Sequence, residues 1–117
     1  MKILVVDDES TIADILVESF EDEGAEAKAL YSVNQVIEYL KSNIVDLILS
    51  DIKMPDGTGI DILEYVTESK NSAELMFMTG YSEFSSDELI SKGAIKVFTK
   101  PIDFDNVIDE IIGYIKK

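Results

Sequence analysis

Two kinds of apolar pattern alternate along the chain. Short runs of five residues, "KILVV" (2–6), "EAKAL" (26–30), "DLILS" (46–50), "ELMFM" (74–78) and "IKVFT" (95–99), have the length and composition of strands. The first, third and fourth are close to continuously apolar, as strands covered on both faces must be. Between the runs, apolar residues recur every three or four positions. Ile12, Ile15, Leu16 and Phe20 share one helical face, as do Val33, Val36, Ile37 and Leu40. Phe104, Val107, Ile108, Ile111, Ile112 and Ile115 form the clearest stripe. A third helix is predicted over 60–66 and a fourth over about 85–92.

The boundaries carry matching signals. Ser32 with Gln35, and Ser85 with Glu88, have capping-box spacing. Gly24 and Gly93 stand where helices end. Five strands alternating with five helices predict an α/β domain with a parallel sheet and right-handed crossovers. At 117 residues the chain reads as one domain, 1–117, burying roughly two-thirds of its unfolded surface.

Composition narrows the chemistry. Ten lysines, no arginine and 24 acidic residues give a formal net charge of −14, which disfavours nucleic acid and anionic membrane as partners. With no cysteine and no histidine, the chain offers neither a thiolate nor an imidazole, so a bound metal must be held by oxygen. No segment approaches the roughly 18 apolar residues of a membrane span. "MKILVVDDES" turns acidic too soon for a secretory signal, and a cytoplasmic location is expected.

In open parallel sheets, ligands sit beyond the carboxyl ends of the strands. The residues expected there are Asp7 and Asp8 after the first strand, Asp51 after the third, Thr79 after the fourth and Lys100 after the fifth. Each alone has an ordinary explanation: a helix cap, a turn, a strand threonine, a surface lysine. As a set they do not. Adjacent parallel strands lie about 4.8 Å apart, so residues at neighbouring strand ends can share a pocket. A like-charge pair at 4 Å costs on the order of 4 kcal/mol at an effective dielectric near 20. Three carboxylates and one ammonium sum to −2, which a divalent cation balances. Direct carboxylates completed by waters and a phosphate oxygen suit Mg²⁺.

This set resembles the response-regulator receiver domain of two-component signalling, along the whole chain. The motifs are the acidic pair at 7–8, D-x-x-M-P-x-x-x-G at 51–59, Thr79-Gly80 and Lys100-Pro101. The resemblance implies a doubly wound, flavodoxin-like five-stranded parallel sheet of order 2-1-3-4-5 with helices on both faces. It implies that Asp51 accepts a phosphoryl group from a sensor histidine kinase or a histidine phosphotransfer protein. Asp8 would be a direct Mg²⁺ ligand, Asp7 would act through water, and Asp51 and the Lys53 backbone carbonyl would complete the protein ligands. Thr79, Gly80 and Lys100 would bind the phosphoryl group, and the bond to Pro101 would be cis. A downstream effector or an output domain outside these residues would read the change, with an activation-dependent dimer as a further expectation. Such a domain catalyses only its own phosphorylation and dephosphorylation.

One position departs from the family. The aromatic residue expected three positions before the lysine is Val97, and Phe98 points to the other face of its strand. Transmission is therefore expected through the loop after Thr79, with Tyr81. A Mg²⁺-dependent phosphatase with an aspartyl-phosphate intermediate is a rival reading, but it calls for a second Asp two residues after the nucleophile, where this chain has Lys53. A docking module that has lost phosphorylation is the other rival, and the complete residue set argues against it. A nucleotide or flavin site fails earlier, since the first turn is acidic rather than glycine-rich.

Overall fold

A computed structural model describes residues 1–80 and 84–116. In chain order the elements are β1 (Lys2–Val6), α1 (Ser10–Asp22), β2 (Glu26–Leu30), α2 (Val33–Leu40) and β3 (Leu47–Asp51). A two-stranded antiparallel hairpin follows, β4 (Lys53–Met54) and β5 (Gly57–Thr58). Then come α3 (Gly59–Glu68), β6 (Glu74–Thr79), α4 (Ser86–Ser91), β7 (Lys96–Thr99) and α5 (Phe104–Ile115).

Five strands form one parallel sheet in the order β2-β1-β3-β6-β7, which is 2-1-3-4-5 when only its own strands are counted. The chain steps from β1 to one side for β2, then crosses back to pair β3 on the other side. Parallel neighbours cannot be joined by a tight turn, so every step carries a helix. The reversal between β1 and β3 opens a crevice at their carboxyl ends.

Side chains alternate strictly across the central strands. Leu4, Val6, Ile48, Leu75 and Phe77 enter one core with α2, α3 and α4, through Val36, Ile62 and Leu89. Ile3, Val5, Leu47, Leu49, Met76 and Met78 enter the other with α1 and α5, through Leu16, Phe20 and Ile111. Each fully buried aliphatic or aromatic side chain contributes roughly 1.5–3 kcal/mol. The two-sided burial explains why these three strands read as unbroken apolar runs. The edge strand β2 is not continuously apolar: Glu26 and Lys28 interrupt it and are exposed.

Several local expectations are met and some are refined. Ser85 and Glu88 make both bonds of a capping box, at 3.1 and 3.2 Å. At α2, Ser32 Oγ accepts from the Gln35 N–H, but the Gln35 side chain accepts from Tyr31 rather than from Ser32. Gly24 and Gly93 end α1 and α4 at φ +89° and +122°, a region that costs other residues strain. Ile15 is corrected: it is 49% exposed, and the buried stripe of α1 is Ala13, Leu16 and Phe20. The hairpin has no apolar period to announce it.

Gly59 has a packing requirement. A Cβ there would lie 2.6 Å from Phe77 Cε1 and 2.8 Å from the Asp51 carbonyl oxygen. Its N–H donates to the Ile52 carbonyl at 2.7 Å. Glycine thus lets α3 begin directly against the end of β3, which fixes the backbone that carries Asp51.

Candidate functional site

The strand ends deliver their polar residues to one place. Asp7 follows β1, and its N–H donates to the Leu30 carbonyl of β2 at 3.2 Å. Ser50, fully buried beside Val6, donates its hydroxyl to the Asp51 carbonyl at 2.7 Å. The Asp51 side chain is oriented by two donors: the Ile52 N–H at 2.7 Å to Oδ1 and the Lys100 ammonium at 3.0 Å to Oδ2. Carboxylate oxygens of Asp7, Asp8 and Asp51 all lie within 4.8 Å of one another. Residues separated by more than 40 positions in sequence thus share one small acidic pocket.

Asp7 is the costly member. It is fully buried; Oδ1 accepts from the Glu9 N–H at 2.9 Å, and Oδ2 has no hydrogen-bond partner. Lys100 Nζ stands 3.5 Å from that oxygen, close enough to pair charges but too long for a good hydrogen bond. Burial pushes the Asp7 carboxyl above the ordinary aspartate range, with smaller upward contributions from Asp51 and Asp8, against the opposing Glu9 N–H and Lys100. Burial pulls the Lys100 ammonium down, but its hydrogen bond and charge pairing with Asp51, then Asp7, prevail and raise it. Lys100 is therefore charged at neutral pH.

The pocket opens into a cleft of about 470 Å³ lined by Asp51, Lys53, Thr79, Gly80 and Lys100. Thr79 ends β6 and is buried, and its carbonyl accepts from the Lys100 N–H at 2.7 Å. Gly80 packs against the Lys100 stem, where an added Cβ would sit 3.9 Å from Lys100 Cβ. The Lys100–Pro101 peptide bond is cis. Val97 is half-buried toward the α2–α3–α4 core, while Phe98 is buried in the opposite core. Tyr81 lies outside the described residues.

The cleft also contains residues that sequence reasoning did not single out. Met54, Thr58 and Phe84 line it, and Phe84 packs against the same core as Val97. Asp56, to which the sequence reading gives no role, accepts from the Val33 and Asn34 N–H groups of α2 at 2.9 Å each. A slightly larger cleft, about 510 Å³, lies at the opposite edge of the sheet. Its acids are already engaged, Asp46 by the Lys2 N–H and Glu74 by the Tyr114 hydroxyl, and among the described residues no lysine lines it. The convergence of three carboxylates on an ammonium is at the carboxyl edge.

Residues 3–112 match the response regulator receiver domain family. The chain is 32% identical over 115 residues to sporulation initiation phosphotransferase F of Bacillus subtilis, covering 97% of this chain and 93% of that protein. Other curated relatives are longer transcriptional regulators, of which the chain spans 22% or 50%. A CheY-like response regulator receiver domain protein from Methanospirillum hungatei superposes with TM-score 0.88 at 26% identity, covering 98% of this chain and 93% of that one. The beryllofluoride-activated NtrC4 receiver domain dimer superposes with TM-score 0.81 at 27% identity, covering 93% of each chain. With sheet order, acidic pocket and sequence match in agreement, the chain belongs to the response regulator receiver domain family, the aspartate-phosphorylated domains of two-component signalling.

Proposed function

We propose that Asp51 is the aspartate phosphorylated in this chain, and that a sensor histidine kinase or a histidine phosphotransfer protein donates the phosphoryl group. The observation that carries this is the convergence of three carboxylates within 4.8 Å beside one lysine. These 117 residues hold no histidine, so the phosphohistidine belongs to another module.

The donor set fits a hard divalent cation. A buried carboxylate oxygen without a partner, next to two further carboxylates, is expensive unless a cation completes it. Asp8 and Asp51 would hold Mg²⁺ directly with the Lys53 backbone carbonyl, and Asp7 through water. Its contribution when bound is to neutralise charge on the transferring oxygens.

The chain's own residues supply the rest. The Asp51 carboxylate attacks phosphorus in line, the bond to the donor imidazole nitrogen breaks, and the electron pair stays on that nitrogen. Ile52 N–H and Lys100 hold the attacking group in orientation. The Thr79 hydroxyl and the Gly80 N–H, which line the cleft, would donate to the phosphoryl oxygens, and Lys100 follows the new negative charge. The product adds roughly −1.5 to −2 charge beside acids already present. Thr79 and Lys100 respond by moving, which alters the surface of α4 and β7 read by an effector or an attached output domain. Val97 offers no ring for that relay, so the loop after Thr79 carries it. Dimerisation on activation is a further part of the proposal, supported by the activated dimer among the similar structures. The chain acts on itself alone, in the cytoplasm; among the described residues no helix is long and apolar enough to cross a membrane.

Incubation with Mg²⁺ and acetyl phosphate, read by intact mass, tests the assignment. One phosphoryl group per chain is expected, and none on Asp51→Asn. An equal adduct on the variant would overturn it, and continuing phosphate release from esters in trans would favour a phosphatase.

A further inference from the structure

We propose that Asp56 is a positioning residue for the cation site, clamping the β4–β5 turn to the first turn of α2 and so fixing the Lys53 carbonyl. The inference rests on the assignment of that carbonyl as a metal ligand, made above.

Asp56 is exposed, yet both its oxygens are engaged across more than 20 residues of sequence. Oδ1 accepts from Val33 N–H and Oδ2 from Asn34 N–H, each at 2.9 Å. These are the first two donors of α2, groups that have no partner within their own helix. A carboxylate at that place is also favoured by the helix macrodipole. The Asn34 N–H, then the Val33 N–H, hold the Asp56 carboxyl below the ordinary aspartate range, the sign of bonds made to its charged form.

The remaining fastenings of this turn lie on its other side. Gly59 N–H donates to the Ile52 carbonyl at 2.7 Å, and Thr58 N–H to Asp61 Oδ2 at 2.9 Å. Lys53 is paired with Thr58 and so stands between those anchors and Asp56. Val33 packs close to the turn as well: a Cβ at Gly57 would be 3.3 Å from Val33 Cγ2. Anchored on both sides, the Lys53 backbone has one orientation. Without the Asp56 bonds, the hydrogen bonds given above hold it from the α3 side alone, among the described residues.

The test is a Mg²⁺ titration of the whole chain, followed by ¹H–¹⁵N spectra, in wild type, Asp56→Asn and Asp56→Ala. Loss of an outer partner that orients a ligand typically weakens metal affinity by 10–100-fold, so Asp56→Ala is expected to bind Mg²⁺ about tenfold more weakly. The Mg²⁺ needed for half-maximal phosphorylation by acetyl phosphate should rise by the same factor, while the rate at saturating Mg²⁺ changes little. Asp56→Asn, which keeps one acceptor oxygen, should fall between. Variants that lose thermal stability but bind Mg²⁺ as wild type does would overturn the proposal and leave Asp56 a simple helix cap. Wild type showing no Mg²⁺-dependent change at Asp8 and Asp51 would overturn both this and the ligand assignment beneath it.

Discussion

Asp7→Asn should stabilise the metal-free protein while damaging its capacity for Mg²⁺. At an effective dielectric near 20, two charges 4.8 Å apart interact by about 3.5 kcal/mol, and since the Asp7 and Asp51 oxygens lie within that distance, ionised Asp7 is repelled by Asp51 on at least that scale. Asp8 is exposed and repels it less. The attraction to Lys100 at 3.5 Å, on the order of 4–5 kcal/mol by the same arithmetic, is of the same size and roughly cancels the combined repulsion. What remains uncompensated is the desolvation of the orphaned Oδ2, a cost of about 1–3 kcal/mol. An amide of the same shape removes the charge, and for a domain of this size each kcal/mol moves Tm by about 4 °C. Thermal denaturation in chelator at pH 8 should therefore place the variant several degrees above wild type. Because folding raises the Asp7 pKa, the folded state binds its proton more readily than the unfolded one. Wild type then gains stability relative to the variant as pH falls through the raised pKa, and the difference shrinks with falling pH. Added Mg²⁺ should reverse the order, stabilising wild type much more than the variant. A variant no more stable than wild type in chelator at pH 8 would refute the reasoning.

Other substitutions probe the same framework. Lys100→Met leaves Asp7 and Asp51 facing each other without compensation and should cost the metal-free protein about 1–3 kcal/mol by urea denaturation, with much of the loss recovered in Mg²⁺. Gly59→Ala drives a Cβ into Phe77 and the Asp51 carbonyl and should cost about 1–3 kcal/mol; phosphorylation by acetyl phosphate should slow as the Asp51 backbone shifts. Val97→Tyr places a ring at the half-buried position facing α4, and effector or self-association affinity before and after phosphorylation should diverge from wild type. Unchanged affinities in both states would show that position 97 takes no part in transmission.

Much of the fold was legible because burial on two faces leaves a simple record. Ile3-Leu4-Val5-Val6 and Leu47-Ile48-Leu49 are apolar at every position, since odd and even residues enter different cores. The stripe of α5 reads directly for the analogous reason. Ile15 misled because periodicity places it near the buried stripe of α1, whereas the sheet covers a narrower arc through Ala13, Leu16 and Phe20. The pocket was legible as a set, because strand-end position can be read from local pattern once the strands are placed. Asp56 was not: its partners are the N–H groups of Val33 and Asn34, and backbone donors leave no trace in side-chain identity. Phe84, which also lines the cleft, was not legible either, since an apolar side chain outside any periodic stripe carries no signal of its place.

The most direct test of the acidic pocket is a ¹H–¹⁵N spectrum with Mg²⁺ and beryllium fluoride, a mimic of the phosphoryl group. The expected result is a set of shifts centred on Asp51, Thr79, Gly80 and Lys100 that requires Mg²⁺ and vanishes in Asp51→Asn. Shifts of the same size without Mg²⁺, or retained in the variant, would contradict it.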